Sequence, residues 1–171
     1  MEVTTGIVTG ILAGLIASAI FYLMMHIIRP KILLSDKICR RKIDDNGNEL
    51  IEVKVVNKTK AMLMNSKYSM YLETVYEDNL IDIEEVKPVK SNLKCIERYN
   101  RKDEKARYAV RFSYSINREL LKQKGVRLSF VIFGKHAWSN TSSYVRKIYQ
   151  VKDIVDGIFQ KGTSLDIILN K

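Results

Sequence analysis

The chain has few of the residue types that metal or covalent chemistry needs. Its 171 residues include two cysteines, two histidines and two prolines. Cys39 and Cys95 cannot supply the four ligands of a structural zinc site. We expect both to be buried free thiols, because disulfides are rare in the cytosol. The sequence therefore predicts neither a metal ion nor a cofactor.

Motifs that mark common enzyme classes are also missing. The chain has no Gly-x-Ser-x-Gly elbow, no phosphate loop ending in Gly-Lys-Ser/Thr and no His-Glu-x-x-His helix. A short acidic run could hold a metal ion, but its spacing on a strand gives no closed geometry and favours a solvated edge. This run comprises Asp78, Asp82, Glu84 and Glu85. We expect no catalytic residues and no enzymatic activity.

Charge is absent from one long segment near the N-terminus. The 26 residues from Val3 to Ile28 carry no formal charge when His26 is neutral. Roughly 20 residues are enough to cross about 30 Å of hydrocarbon. The run is longer than the apolar core of a signal peptide and has no basic residue before it. We predict a retained transmembrane helix over residues 3–29; a buried helix of a soluble core is the alternative.

Basic residues are clustered on one side of this segment. The charged side chain before it is that of Glu2, whereas Arg29-Pro30-Lys31 ends it and further basic residues follow. Positive residues close to a span stay in the cytoplasm. We therefore expect the N-terminus to lie outside and residues 30–171 to lie in the cytosol. The candidate membrane-surface residues are Arg29, Lys31, Arg40 and Arg41.

A row of small residues follows one face of the predicted helix. Gly6, Gly10, Gly14 and Ser18 are spaced by four, which brings them nearly into line. In lipid, helices associate through close backbone approach, which small side chains permit. The row predicts a homo-oligomer, with a tetramer as one arrangement, whose helices either surround a pore or only touch. Glycine is also common in membrane helices generally, which is the competing interpretation.

Residues 31–171, which number 141, read as one mostly β domain. About seven segments alternate apolar and polar residues with period two, and Asn46-Gly47 is typical of a hairpin turn. This pattern predicts an immunoglobulin-like antiparallel sandwich. Asn117 to Gly125 predicts one short helix with an Asn cap and a closing Gly. The predicted strands lie within residues 31–43, 50–58, 68–77, 93–99, 107–116, 126–134 and 143–151.

The net charge of +10 is unevenly distributed. Residues 90–127 hold twelve bases and four acids, whereas 73–86 holds six acids and no base. The bases, beside Tyr99 and Tyr108, predict a site for a nucleotide or short nucleic acid. Contact with an anionic leaflet, a merely solvated face, and pairing with the acidic edge of a neighbouring subunit are the alternatives. The candidate anion-binding residues are Arg98, Arg101, Lys102, Lys105 and Arg107.

A resemblance adds to this interpretation. The closing stretch SFVIFGKHAWSNTSSYVRKIYQVKDIVDGIF, which ends in Asp153, Ile154, Gly157 and Phe159, is similar to the end of the sandwich in small single-span bacterial membrane proteins. The uncharged helix and its Arg-Pro-Lys stop resemble theirs too. In architecture alone the sandwich resembles the cytoplasmic domain of inward-rectifier potassium channels, although the chain has no Thr-Val-Gly-Tyr-Gly selectivity filter.

Proteins of this layout include membrane effectors of nucleotide-signalled anti-phage defence, and the chain resembles the Hailong type among them. The resemblance implies an oligomeric effector or ion channel in the bacterial inner membrane. A nucleotide or oligonucleotide, made by a companion nucleotidyltransferase of the same operon, would gate it. The alternative expectation is a membrane-anchored adaptor that binds another protein and conducts nothing.

Overall fold

The computed structural model describes residues 2–43, 48–78, 80–90 and 93–169, without the side chains of residues 2, 3, 26, 42 and 43. The predicted Asn46-Gly47 turn and the His26 side chain therefore lie outside the described residues.

The first element is helix α1 (Glu2–Ile28), which is 27 residues long. Its stretch Thr4–Met25 has a mean hydropathy of 2.2, and the most apolar part of that stretch is not buried against the rest of the chain. By length and composition α1 could span a membrane; a signal sequence would share these properties. The hydroxyls of Thr9 and Ser18 donate to the carbonyls of Thr5 and Gly14, so they are satisfied within the helix.

Among the residues that the structure describes, twelve strands and a second short helix, α2 (Arg118–Leu121), follow α1. A short 3-10 turn, Val151–Asp153, precedes the tenth strand. The strands are β1 (Ile32–Leu34), β2 (Ile38–Ile43), β3 (Asn48–Asn57), β4 (Leu63–Val75), β5 (Ile81–Val86), β6 (Cys95–Ile96), β7 (Ala109–Asn117), β8 (Val126–His136), β9 (Ser142–Gln150), β10 (Ile154–Asp156), β11 (Ile158–Phe159) and β12 (Ile167–Ile168).

The strands form two five-stranded sheets and one small ribbon. In the first sheet β3 is central: β7 pairs along one side, and β1 and β2 share the other, with β10 beyond β2. In the second sheet the order is β5-β4-β8-β9, and β6 pairs with the start of β4. The ribbon is β11 with β12. Neighbouring strands run antiparallel except β10, which lies parallel to β2.

The core lies between the two sheets. Ile51, Val53 and Val55 of β3 are fully buried, as the alternation of that strand predicts. The rings of Phe112 in the first sheet and Phe130 in the second are 5.7 Å apart, centroid to centroid, which joins the layers. The predicted class, one N-terminal apolar helix followed by an antiparallel β-sandwich with a minor helix, is confirmed.

Tertiary contacts change some of the predicted elements. The strand expected over residues 31–43 is broken at Ser35, whose N–H donates to Lys54 O and whose carbonyl accepts from Tyr149 Oη. Strand β5 was not among the predicted strands. The short helix is confirmed: Asn117 Oδ1 accepts from Glu119 N at 2.9 Å. Gly125 closes its turn with φ +81°, where a Cβ would lie 2.3 Å from Val75 O, so only glycine fits.

Both cysteines are free, as predicted, but only one is buried. Burial raises the pKa of the Cys39 thiol to about 11, so it stays protonated at neutral pH. Its Sγ donates to the carbonyl of Gly157 at 2.8 Å. Cys95 is exposed, because β6 is a two-residue edge strand rather than the longer strand that the pattern predicts.

Candidate anion-binding site

Two basic side chains stand opposite each other on the outer face of the first sheet. Lys54 of β3 is in register with Arg111 of β7. Like charges in directly opposed positions destabilise a sheet unless an anion neutralises them. Lys54 is only 2% exposed, and its Nζ donates to the carbonyls of Gln160 at 2.5 Å and Ser164 at 2.7 Å.

The environment of Lys54 disfavours the protonated form of its side chain. Burial and the charge of Arg111 both lower its pKa, and Asp166 opposes them. Among the described residues, no carboxylate lies within ion-pair distance of Lys54 Nζ, and its hydrogen-bond acceptors there are the two carbonyl oxygens. The pair Lys54–Arg111 therefore maintains a local positive potential that the fold only partly offsets.

A cavity of about 380 Å³ opens beside this pair. Its walls come from β3, from β7 and the loop that precedes it, and from the segment after β11. Four bases line it against a single acid, Glu104. None of these four bases forms an ion pair with any residue that the structure describes. The four bases are Lys54, Lys105, Arg111 and Lys161.

One carboxylate organises the loop that carries Lys105. Asp103 accepts from the backbone N–H of Lys105 at 3.1 Å and of Arg107 at 3.1 Å, and from Arg107 Nε at 3.3 Å. Desolvation acts to raise the pKa of Asp103, but these hydrogen bonds outweigh it and hold the pKa below its ordinary value. Ala106 follows with φ +47°, a conformation that non-glycine residues adopt mainly where the surroundings impose it.

The five sequence-predicted anion-binding residues fall on this loop and around it. Lys105 lines the cavity. Arg107 pairs with Asp103, and Arg98, Arg101 and Lys102 are exposed outside the cavity lining. Sequence reasoning did not single out Lys54, Arg111 and Lys161 as ligands. These residues line one cavity only because the fold brings β3, β7 and the segment after β11 together.

The same loop is joined to the residues that follow α1. Tyr99 and Tyr108 pack edge to face with ring centroids 5.1 Å apart, and Lys58 Nζ lies 5.1 Å from the centre of the Tyr99 ring. Tyr99 N donates to Thr59 O at 2.8 Å. Lys31 N donates to Thr59 Oγ1 at 2.8 Å, which extends this path of direct contacts from the loop to the residues after α1.

The candidate membrane-surface residues separate into two pairs. Arg29 and Lys31 are exposed directly after α1. Arg40 instead bonds the carboxylates of Glu49 and Asp156, and Arg41 reaches Glu52 at 3.3 Å. The charges of Arg40 and Arg41 thus balance acids of the first sheet.

The row of small residues lies on an exposed face of α1. A Cβ added at Gly6, Gly10 or Gly14 would meet no atom within 4 Å beyond the helix's own backbone. Helical φ values are open to any residue, so nothing within the described part of one chain requires glycine at these positions. Any requirement for glycine there has to come from outside the chain.

The cavity is lined by ammonium and guanidinium groups, which bind oxyanions through charge-assisted hydrogen bonds. Its volume is in the range of small-ligand sites. The acidic run, by contrast, is exposed along and before β5, where Glu85 accepts from Ser69 Oγ at 2.7 Å.

No protein-family model matches this chain, and no curated protein matches it.

Proposed function

We propose that the protein is an oligomeric single-span membrane effector of anti-phage defence, gated by a nucleotide or short oligonucleotide in the basic cavity. The observation that carries this proposal is the opposition of Lys54 and Arg111 in a cavity with four bases and one acid. A phosphate between them would replace their repulsion by two charge-assisted contacts. A companion nucleotidyltransferase would supply the ligand.

In this proposal α1 crosses the bacterial inner membrane with its N-terminus outside, and the sandwich lies in the cytosol. The support is the asymmetry of basic residues, with Arg29 and Lys31 directly after the helix. The copies associate through Gly6, Gly10, Gly14 and Ser18. This is supported by the open space around the three glycines, because no contact within the described part of one chain requires a small residue there.

Ligand binding would reach the membrane through the contacts that begin at Tyr108. The chain of contacts runs through Tyr99 and Thr59 to Lys31, the third residue after α1. These are physical contacts between neighbouring groups, which is the minimum that coupling between two sites needs. Movement of the loop would then change the packing of the α1 helices against one another. The changed packing would in turn change the ion conductance of the membrane.

The first test is ligand binding by the full-length protein in mild detergent, with ATP and a short oligodeoxyadenylate as probes. Arg111→Glu is expected to weaken binding about tenfold or more, because a charge-assisted hydrogen bond contributes about 1.5–3 kcal/mol. Affinity should also fall steeply as salt is raised. Calorimetric titration measures both effects.

The matched control is Lys124→Glu. Lys124 is 94% exposed and, among the described residues, pairs only with Glu77. It precedes Gly125, whose carbonyl accepts from Val75 N at the end of β4. If both variants lost affinity equally, the loss would follow from the change in net charge alone, which would contradict the proposed site. Native mass spectrometry of the wild type adds the subunit number; a bare monomer without nucleotide would count against the whole proposal.

The second candidate function is a membrane-anchored adaptor that binds another protein. It is favoured by the edge strand β5, in which Ile81 and Ile83 are 48% and 58% exposed, and by Leu80 just before it, which is 65% exposed. An exposed edge can pair with a strand of a partner. Binding of a protein there should persist at high salt, and the membrane should show no ion flux.

A further inference from the structure

A second cavity, of about 620 Å³, lies where α1 meets the sandwich. Ile27 and Ile28, the last residues of α1, form one wall. The turn after β3 and the loop between β8 and β9 form the other walls. The cavity therefore opens at the level where α1 ends.

The charged residues that line this cavity are all basic. Arg29 and Lys31 come from the segment after α1, and Lys58 and Lys60 from the turn after β3. These four bases form no ion pair with the residues that the structure describes. The turn itself is held firmly, because Lys58 N donates to Lys31 O at 2.8 Å and Thr59 N to Asn57 Oδ1 at 2.9 Å.

An aromatic residue stands at the same cavity. Trp138, the only tryptophan of the chain, is 76% exposed and packs edge to face on His136 at 5.8 Å between ring centroids. His136 is buried and its Nδ1 accepts from Ser139 N at 3.3 Å and contacts Ser139 Oγ at 3.1 Å. The loop thus holds the indole outward by a specific set of contacts.

These groups have the arrangement of a lipid site. Apolar residues at a helix end suit the upper part of an acyl chain, bases beside them suit a phosphate, and an exposed tryptophan suits the headgroup level of a bilayer. The basic cavity beside Lys54 lacks both the tryptophan and the adjoining end of an apolar helix.

We propose that this junction cavity binds the phosphate headgroup of an anionic phospholipid, in the leaflet at which α1 ends. Lys58 and Lys60 contact the phosphate, and Trp138 lies beside the glycerol region. This inference rests on the proposed membrane span of α1, and it assigns the site to a lipid rather than to the gating nucleotide. Because Lys58 also contacts Tyr99, the lipid lies on the path between the nucleotide cavity and α1.

The test is lipid retention by the full-length protein, measured by native mass spectrometry after extraction from vesicles of phosphatidylglycerol and phosphatidylcholine in equal parts. The wild type is expected to retain phosphatidylglycerol preferentially. The double variant Lys58→Glu with Lys60→Glu should reduce that preference by about fivefold or more for each base removed. Trp138→Ser should also reduce retention, since it removes the aromatic contact. The control, Lys122→Glu with Lys124→Glu, alters the same number of charges at the far end of the sandwich and should retain lipid like the wild type.

Two further measurements distinguish a wrong lipid assignment from a wrong assignment of the membrane span. Inorganic phosphate is added at increasing concentration; if it displaces the lipid completely, the site is one for free phosphate and the inference is overturned. Flotation of the same samples with vesicles in high salt reports membrane insertion. Flotation with equal retention of both lipids overturns this inference alone. Failure to float overturns the membrane span and this inference together.

Discussion

Some charged residues of this protein are buried, so the groups that they contact decide how their charge is stabilised. Lys54 and Glu52 alternate with the apolar residues of β3, a pattern that predicts a solvent-facing side, yet both are buried. Lys54 is covered by the segment that includes Gln160 and Ser164, more than a hundred positions later in the chain. Local alternation assigns a face to a residue, but only the tertiary fold decides what covers that face.

His136 makes the stability of the sandwich depend on pH. Burial lowers its pKa below the ordinary value of 6.5, and Ser139 N donates to its Nδ1, which must then be unprotonated. The unfolded chain therefore binds more protons than the folded one between the folded-state pKa and about 6.5, so stability rises with pH there. The stabilisation should be complete above about pH 6.5 and be lost as the pH falls toward the folded-state pKa.

Thermal unfolding followed by circular dichroism across this pH window checks that prediction. The loss should amount to about 1.4 kcal/mol for each unit by which the pKa is lowered. The variant His136→Gln keeps a polar side chain without a titrating proton, and its stability should not change with pH in this window. An unchanged slope in the variant would assign the effect to another group.

At the scale of elements, most of the long strands were predictable, β5 being an exception, whereas the pairing of the strands was not. The alternation of β3 and the nearly continuous apolar run of β8 identify them as strands, and the capping pattern at Asn117 identifies α2. The pattern does not identify Arg111 as the partner of Lys54, because register depends on pairing between distant segments. The charge of the loop that carries Lys105 marks it as a candidate in the sequence, but the other cavity bases belong to separate elements.

The α1 helix itself gives a prediction for association. Gly10→Leu with Gly14→Leu would place two large side chains on the exposed small-residue face, where they hold neighbouring backbones apart. We expect the detergent-solubilised oligomer to dissociate, which size-exclusion chromatography with light scattering measures.

The control for this variant is Leu12→Ala with Ile16→Ala. These residues are exposed on the opposite face of α1, and their truncation should leave the assembly intact. Retention of the wild-type mass by the glycine variant, or dissociation of the control, would contradict an interface at the small-residue row.

For the whole molecule, the central question is how a cavity in the sandwich could act on a helix. Tyr99 is the middle of the proposed path, since it contacts Tyr108 on one side and Lys58 and Thr59 on the other. Tyr99→Leu removes both ring contacts but none of the four cavity bases. We expect nucleotide affinity to stay unchanged while the effect of nucleotide on ion flux through proteoliposomes is lost.

Tyr144→Leu serves as the comparison, because Tyr144 is 62% exposed on β9 and away from the path. It should alter neither binding nor flux. If Tyr99→Leu weakens binding and flux in parallel, the tyrosine supports the cavity itself and transmits nothing.

The cover over Lys54 also has a consequence for biosynthesis. Chains are made from the N-terminus, and domains begin to fold during synthesis. Gln160 and Lys161, which line the cavity, and Ser164, whose carbonyl accepts from Lys54 Nζ, are therefore added after α1 and after every strand of the two five-stranded sheets. Under the proposed function, a newly made copy would have its helix in the bilayer, able to meet other copies, before its ligand cavity was complete. Assembly in the membrane would precede the ability to respond to a ligand.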